Sequence, residues 1–431
     1  MSKLADIDES GNVLCTYTNS EKEESLKIEK TKTPLAKAIF YAFLPAGYPH
    51  TVTDDYLAYQ TYDSLQAFSS SITSLLANRA VLEGLGVGNA SQSPTAALLL
   101  KIIQDTFSRF ATILFAHRMG QAIEPECKYY RFLADIFNDG GQLLDLLLPA
   151  LPLFPKITVM VTASILRSLC GVAASASKAT LSAHFAKTGN LAELNAKEAS
   201  QETIVSLMGM LAGTLLVRIV EGKKAVWTWM VILVSIHLFT NYCGVRCVKM
   251  RTLNRQRATI VFREWLESNT ILTPAEVARR ESVLRKGRGN MSSKSGEYSG
   301  FCEFGGYGNV MSFKPWGYHR YIFDTEDYFM GIWHWGPTFY IKIALKEGKH
   351  SVNDPLMAWF DAVAHAYHFD TALKDGLGSH FENEFPAGYT NRETKSTIME
   401  ALKAKGWEVE NGALETRSPI RVRSGDGKKG M

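Results

Sequence analysis

The 431-residue chain lacks the signatures of the common secreted and enzymatic classes. Its six cysteines have no repeated spacing, which argues against a disulfide framework and favours a reducing compartment. It contains no nucleophile-elbow, zincin, P-loop or kinase motif. Its formal net charge of +4 is too small for a nucleic-acid-binding footprint. Residues 1–33 have no apolar core, so we predict no cleavable targeting peptide. From the small net charge and the missing motifs we predict no nucleic-acid partner and no cofactor.

Two long apolar runs stand out instead. Residues 203–220 carry one charge, Arg218, and residues 225–243 carry none if His237 is neutral. As helices they would span about 27 to 29 Å, close to the thickness of a bilayer's hydrocarbon core. We predict two membrane-spanning helices. Residues 96–117 and 143–169, interrupted by charges or prolines, could add two more, and the alternative is a pair of helices buried in a soluble core.

The two runs are joined by only four residues, 221–224, so they predict a helical hairpin. Its outer flanks hold eight basic residues against three near the tip, which places the flanks on the cytoplasmic, matrix or stromal side of an intracellular membrane. The organelle is left open. Gly209 and Gly213 form a GxxxG pair, the spacing that lets another helix approach closely in lipid.

The chain is predicted to be mainly α, a multi-helix membrane-embedded bundle followed by a small α+β soluble domain. The expected segments are a disordered tail (1–33), the helical membrane domain (34–260), a helical connector (261–286), a flexible Gly/Ser-rich loop (287–309), the C-terminal domain (310–415) and a disordered tail (416–431). In the C-terminal domain, a hairpin turns around residues 334–337 and helices begin near Asp354 and Asn391.

Polar residues beside apolar sequence are the candidate functional groups. Asp139 precedes an apolar run, and Lys197 or Arg255 is its expected partner. Asp361, His365 and His368 share one helix face; they could bind a metal with a further ligand, but a solvated polar face is the simpler interpretation.

Five blocks of sequence occur together in a characteristic order. They are GYPHTVTDDYLAYQTYDSLQAF (47–68), GLGVG (84–88), RFLADIFND (131–139), GVAASASKATLSAHFAKTGNLAELNAKEASQET (171–203) and RTLNRQRA (251–258). With these blocks the chain resembles the root UVB sensitive family of eukaryotic membrane proteins. It departs from the family's glycine-rich patterns at residues 105–112 and 171–176. The resemblance implies a multi-pass membrane protein, whose plant members are linked to UV-B responses, seedling development, auxin transport and vitamin B6 homeostasis.

The polar residues that match the family blocks are the predicted ligand-binding set: Asp63, Gln66, Asn138, Asp139, Lys197, Gln201, Glu202, Asn254 and Arg255. The leading hypothesis is a non-enzymatic protein of the lipid bilayer that binds or moves a small anionic metabolite, for example a B6 vitamer. One alternative is a membrane-anchored scaffold whose C-terminal domain recruits a family paralogue or another protein. The other is an enzyme that uses Asp361, His365 and His368.

Overall fold

A computed structural model describes residues 3–7, 13–19, 26–30, 43–86, 94–284, 290–312, 319–348, 354–370, 392–410 and 412–423. The chain divides into two compact units. The first comprises residues 1–116 and 130–248, and the second comprises residues 117–129 and 249–431. The first unit is mainly helical and the second combines a sheet with helices, as the sequence predicts.

Long helices make up most of the first unit. They are α1 (Tyr56–Gly84), α2 (Pro94–Ile123, whose last turns belong to the second unit), α3 (Cys127–Leu147), α4 (Leu153–Phe185), α5 (Leu191–Ile219) and α6 (Lys223–Cys247). The two apolar runs lie in α5 and α6. Helix α1 packs against both of them, with Ile72 and Leu76 of α1 buried against Leu233 of α6. The predicted hairpin therefore has α1 as a shared neighbour.

The GxxxG pair is where α5 approaches α1. A Cβ atom at Gly209 would lie 2.6 Å from Cβ of Ser71 and 2.8 Å from the carbonyl oxygen of Phe68. At Gly213 it would lie 2.7 Å from a terminal methyl of Leu75. The contact at Gly209 requires glycine, because real Cβ atoms do not approach other heavy atoms this closely, whereas the Leu75 methyl at Gly213 can move.

Three helices of the described residues are long and apolar enough to cross a membrane: α4, α5 and α6. The sequence predicted two spans, α5 and α6, and left residues 143–169, which include the start of α4, as a possible further span because their prolines suggested interruptions. Pro152 is in fact the N-cap, and Pro155 stands in the first turn, where its missing N–H costs no helical hydrogen bond. The weaker stretch 96–117 lies in α2, which does not meet the same criterion.

The N-terminal residues form strands where the composition predicts a disordered tail. Strands β1 (Lys3–Ile7), β2 (Val13–Asn19) and β3 (Leu26–Lys30) pair antiparallel in the order β1-β2-β3. The residues of β2, VLCTYTN, are mostly β-branched or aromatic, and this local preference outweighs the high charge of the segment. The prediction of disorder is wrong for these residues.

The second unit is built on a five-stranded sheet in the order β4-β5-β8-β7-β6. Its elements are α7 (Arg255–Ser268), α8 (Pro274–Arg280), β4 (Met291–Ser292), β5 (Ser299–Phe304), α9 (Tyr307–Met311), β6 (His319–Asp324), β7 (Tyr328–Trp335), β8 (Thr338–Leu345), α10 (Asp354–Tyr367) and α11 (Arg392–Ala404). The predicted hairpin is β7 and β8, and α10 and α11 are the predicted helices. Phe262 of α7 and Phe360 of α10 meet edge to face in the core.

The predicted flexible loop, residues 287–309, contains strands β4 and β5 among its described residues, so that prediction is corrected. Strand β5 runs parallel to β8 and buries Cys302. Glycine was misread there as a sign of flexibility. A Cβ atom at Gly300 would collide with the carbonyl group of Phe339 on β8, so glycine allows the two strands to approach.

Candidate functional site

A network of charged side chains lies inside the helical unit, between α1, α3 and α6. The Arg131 guanidinium contacts Asp63 Oδ1 at 2.8 Å and Asp135 Oδ1 at 3.0 Å. Arg131 and Asp135 are four residues apart on α3, which places them on one face of the helix. The most exposed of the three side chains, that of Asp63, has only 11% of its surface accessible. Such burial is tolerated because the charges are paired.

His237 of α6 extends this network. Its Nδ1 atom lies 2.7 Å from Asp139 Oδ2, and its Nε2 atom lies 3.6 Å from Asp135 Oδ2. The Asn241 side-chain amide, one helical turn further along α6, donates a hydrogen bond to Asp135 Oδ2. Each nitrogen of a fully buried imidazole thus faces a carboxylate. We call Asp63, Arg131, Asp135, Asp139, His237 and Asn241 the buried ion network.

The charges of this network do not balance. When all three carboxylates are ionised they stand against one guanidinium, which leaves two negative charges with a neutral His237 and one with an imidazolium. Burial raises the pKa of the Asp139 carboxyl above its usual range. Inside a protein, interactions between such charges are much stronger than in water. The network therefore favours a bound positive charge, and His237 is placed to carry it.

The partner predicted for Asp139 is corrected by this geometry. Asp139 is 2% exposed and pairs with His237, which is 98 residues away in the sequence. Lys197 lies half-buried on α5, and Arg255 belongs to the second unit, where it donates a hydrogen bond to the Leu414 carbonyl. Sequence reasoning missed Arg131, His237 and Asn241. An ionisable residue in the middle of an apolar run is the signal that could have identified His237.

The pairing makes a first prediction about Asp139. Replacement by asparagine is expected to lower the free energy of unfolding by about 2 to 4 kcal/mol, because the imidazole is left without its closest carboxylate. Denaturant titration of the full chain in detergent measures this. Asp105→Asn is the control: Asp105 forms an exposed pair with Lys101, so the loss should stay within about 0.5 kcal/mol. Equal stability of the two variants would contradict the pairing.

The other predicted ligand-binding residues are dispersed. Glu202 pairs with Lys178 of α4 at 2.9 Å, the Gln201 amide donates to the Phe43 carbonyl, and Gln66 is buried on α1. Asn254 lies in the second unit, where it caps α7 by accepting from the Arg257 N–H at 2.9 Å. Of the nine residues, only Asp63, Asn138 and Asp139 belong to the network or touch it.

The proposed metal-binding face on α10 is also corrected. Asp361 and His365 are buried, so this is not a solvated polar face. The Tyr328 hydroxyl donates a hydrogen bond to Asp361, and the His365 ring stacks on Phe323 at 4.7 Å. Burial, with a smaller effect from His368, lowers the pKa of His365 to about 3. No group of three metal-ligating side chains occurs among the residues that the structure describes.

A cleft of about 270 Å³ opens at one end of the helical unit, where α1 ends and α6 begins. We call it the terminal cleft. Its lining residues are Leu76, Arg79, Ala80, Glu83, Leu146, Pro149, Ala150, Gly222, Lys223, Val226 and Trp227. Arg79 is fixed by Glu83 at 3.0 Å and by the Val217 carbonyl at 3.2 Å, whereas Lys223 is exposed. The cleft thus combines an indole surface with a net positive charge.

The buried ion network and the terminal cleft both lie within a region that matches a protein-family model. Residues 29–269, more than half of the chain, match the family model described as the vitamin B6 photo-protection and homoeostasis domain of UVB-sensitive proteins. The chain belongs to the root UVB sensitive family. All residues of the buried ion network and of the terminal cleft fall inside this family domain, whereas most of the second unit lies outside it.

Several members of the root UVB sensitive family are similar to the chain. "RUS family member 1" of Dictyostelium discoideum is 38% identical over 246 residues, which cover 56% of this chain and 47% of the relative. "Protein root UVB sensitive 3" of Arabidopsis thaliana is 37% identical over 251 residues, covering 58% and 56%. "Protein root UVB sensitive 6" is 25% identical over 388 residues, covering 88% and 74%. The chain spans about half the length of the first two relatives, and no solved structure matches it.

Proposed function

We propose that the helical unit is embedded in an intracellular membrane and binds, and moves, a small anionic molecule. The supporting observation is its distribution of polarity. Large apolar side chains on the outer faces of α4, α5 and α6 are exposed, including Phe154 at 83%, Leu211 at 74% and Phe239 at 67%. The ionisable side chains of the buried ion network point inward. An apolar exterior around a charged interior suits lipid as the surrounding solvent.

The three spans make a prediction about topology. Reporter cysteines at Leu151 and Glu221 should be labelled from one side of the membrane, and those at Lys187 and Ser268 from the other, because α4, α5 and α6 each cross once. Impermeant maleimide applied to sealed vesicles, in a chain with its accessible native cysteines replaced, measures this. Labelling of all four positions from one side would contradict the proposal that α4, α5 and α6 cross the membrane.

Charge near the helix ends gives the expected orientation. Lys178 lies within α4 and pairs with Glu202, so it is not a flanking charge. The seven remaining basic residues of the flanks still outweigh the three near the tip. We therefore expect Lys187 and Ser268 on the cytoplasmic, matrix or stromal side.

The terminal cleft is the proposed binding site, and a phosphorylated B6 vitamer is the proposed ligand class. Its volume of about 270 Å³ lies just below the roughly 300 Å³ at which the usual range of small-molecule sites begins, so it suits a small ligand. A pyridine ring can stack on the Trp227 indole, while the phosphate binds the Lys223 ammonium and the Arg79 guanidinium. The match to a vitamin B6 homoeostasis domain supports this choice among small anions.

Trp227→Ala and Lys223→Gln are each expected to weaken binding about tenfold, which corresponds to about 1.4 kcal/mol. The probe is pyridoxine 5′-phosphate, which has no aldehyde to react with lysine, and calorimetry on the full chain in nanodiscs measures its Kd. The matched controls are Trp229→Ala and Lys224→Gln, two exposed neighbours that do not line the cleft. If the controls weaken binding as much as the cleft variants do, the site is wrong. If wild type shows no binding, this ligand is wrong.

A further inference from the structure

A row of polar side chains runs from the buried ion network toward the terminal cleft. The Asn138 amide lies 3.5 Å from the Ser70 hydroxyl, and the Gln142 amide donates to the Ser74 hydroxyl at 3.0 Å. Leu146, one turn further along α3, lines the cleft and packs in an apolar cluster with Ala77 and Met230, so the polar row ends one helical turn short of the cleft. Positions 138, 142 and 146 are successive turns of one helix, so about 12 Å of helix separates Asn138 from the cleft wall.

One buried oxygen atom in this row has no hydrogen-bond donor among the described residues. Gln142 is 4% exposed, and its Oε1 atom accepts no hydrogen bond from the residues that the structure describes. Buried amide oxygens normally have a partner, and ordered water is the usual one when protein supplies none. The Gln142 oxygen is therefore an acceptor for a water molecule between Ser74 and Asp139.

The geometry of His237 shows where such a proton would be held. With its Nδ1–H donated to Asp139 at 2.7 Å, a neutral ring directs the lone pair of Nε2 toward Asp135 Oδ2 at 3.6 Å. Lone pair and carboxylate repel each other. A proton on Nε2 reverses this to attraction, yet 3.6 Å is too long to fix it in a strong hydrogen bond. Nε2 is thus the exchangeable position.

Other titratable side chains, on α1, α4 and α5, also interact with the buried ion network. Asp63 interacts with Lys178 of α4 and Glu198 of α5, and Lys178 also pairs with Glu202 at 2.9 Å. Tyr59 of α1 and Cys170 of α4 are further titratable groups that interact with the network. With its three carboxylates ionised, the buried ion network keeps an excess of two negative charges until His237 is protonated.

We propose that His237, held between Asp135 and Asp139, is a proton-binding site that couples the uptake of one proton to the binding of an anion in the terminal cleft. The proton comes from solvent and binds Nε2 of the imidazole, on the Asp135 side of the ring. The added positive charge stabilises the bound anion. By thermodynamic reciprocity, protons then tighten anion binding as much as the anion tightens proton binding. This inference rests on the proposed function.

The first experiment needs no ligand. Solid-state NMR of the full chain in nanodiscs, with 15N-labelled histidine, resolves the side-chain signals, and His237→Gln identifies the one to follow. We expect that signal to change reversibly between neutral and charged forms between pH 5 and 9. The control is His184→Gln, because His184 faces a single carboxylate, Asp55, at 3.1 Å; removing it should leave the His237 signal unchanged. A His237 signal fixed in one form throughout would overturn the proton-binding site.

The second experiment tests the coupling with pyridoxine 5′-phosphate. Binding enthalpies in PIPES and in MOPS, which differ in ionisation enthalpy, give the number of protons exchanged. We expect a fractional net uptake of protons by wild type and by His184→Gln, and a smaller uptake by His237→Gln. The affinity of wild type, relative to that of His237→Gln, should also rise by up to about tenfold per unit fall in pH. Comparison with His237→Gln removes the part of the pH dependence that comes from ionisation of the ligand.

The outcomes of the two experiments separate the two proposals. Binding with the same proton count in wild type and His237→Gln overturns the coupling and leaves the binding site standing. A His237 signal that titrates while no ligand binds rejects the proposed ligand and the coupling to it, and leaves the proton-binding site standing. Should His237→Gln fail to fold, Asp135→Asn removes the carboxylate that Nε2 faces and is expected to move the change of the His237 signal to lower pH; an unchanged pH would overturn the proton-binding site.

Discussion

Arg131→Met is expected to destabilise the helical unit by about 3 to 5 kcal/mol, which is the largest loss from any single substitution in the buried ion network. The guanidinium binds Asp63 at 2.8 Å and Asp135 at 3.0 Å, and it supplies the network's permanent positive charge. Methionine fills a similar volume, so the loss reports charge and hydrogen bonds rather than a cavity. Two buried carboxylates would be left to protonate or to draw in water.

This expectation is checked by the yield and denaturant resistance of the full chain in detergent. The double variant Arg131→Met with Asp135→Asn restores part of the charge balance and should recover part of the stability, because the two residues act as a pair. The control is Arg118→Met, since Arg118 is exposed near the end of α2. If Arg131→Met and Arg118→Met unfold at the same denaturant concentration, the network contributes nothing to stability.

Gly209→Leu is expected to have the second large effect, separating α5 from α1. The atoms that a side chain at Gly209 would meet are Cβ of Ser71 and the carbonyl oxygen of Phe68, neither of which can rotate away. At Gly213 the nearest atom is a terminal methyl of Leu75, which can move. Gly209→Ala should therefore cost more stability than Gly213→Ala, and overpacking by leucine at Gly209 should cost about 3 kcal/mol or more.

Resistance to proteolysis in native membranes and the thermal midpoint in detergent test this order. Gly171→Leu is the matched control. Gly171 lies in α4 and has no atom within 4 Å of the place that its Cβ would occupy, so leucine should be tolerated there. A Gly209→Leu chain as resistant as the Gly171→Leu chain would show that α5 and α1 do not meet at this glycine.

The sequence predicted those elements whose pattern is local. The apolar runs gave α5 and α6, because nearly every residue over four or more turns is apolar. The alternation of Phe339, Ile341, Ile343 and Leu345 is typical of a strand, and all four side chains are buried on β8. The Pro–Ala–Glu sequence after Thr273 is typical of a helix start, and α8 begins there with a capping box formed by Thr273 and Glu276.

What the sequence did not predict depends on contacts between distant residues. His237 and Asp139 are 98 residues apart, and no spacing rule connects them. Family blocks identified Asp63, Asn138 and Asp139 as polar residues of interest but gave no partner, so proximity of blocks in the sequence suggested Lys197 and Arg255 wrongly. Likewise, a proline is tolerated in the first turn of a helix but interrupts its interior. The sequence around Pro152 and Pro155 did not show where α4 begins, so their effect could not be predicted.

The position of α1 between α5 and α6 has a consequence for how the protein is made. Helix α1 buries Gln60, Gln66, Ser69 and Thr73. The helices that cover it, α5 and α6, begin at Leu191 and Lys223, so they are synthesised long after α1 ends at Gly84. In the proposed membrane arrangement, a nascent chain would therefore carry a helix whose polar groups are not yet covered by α5 and α6. We expect α1 to enter the hydrocarbon core only after these helices are made, and a chain that ends before α6 to be a substrate for membrane quality control.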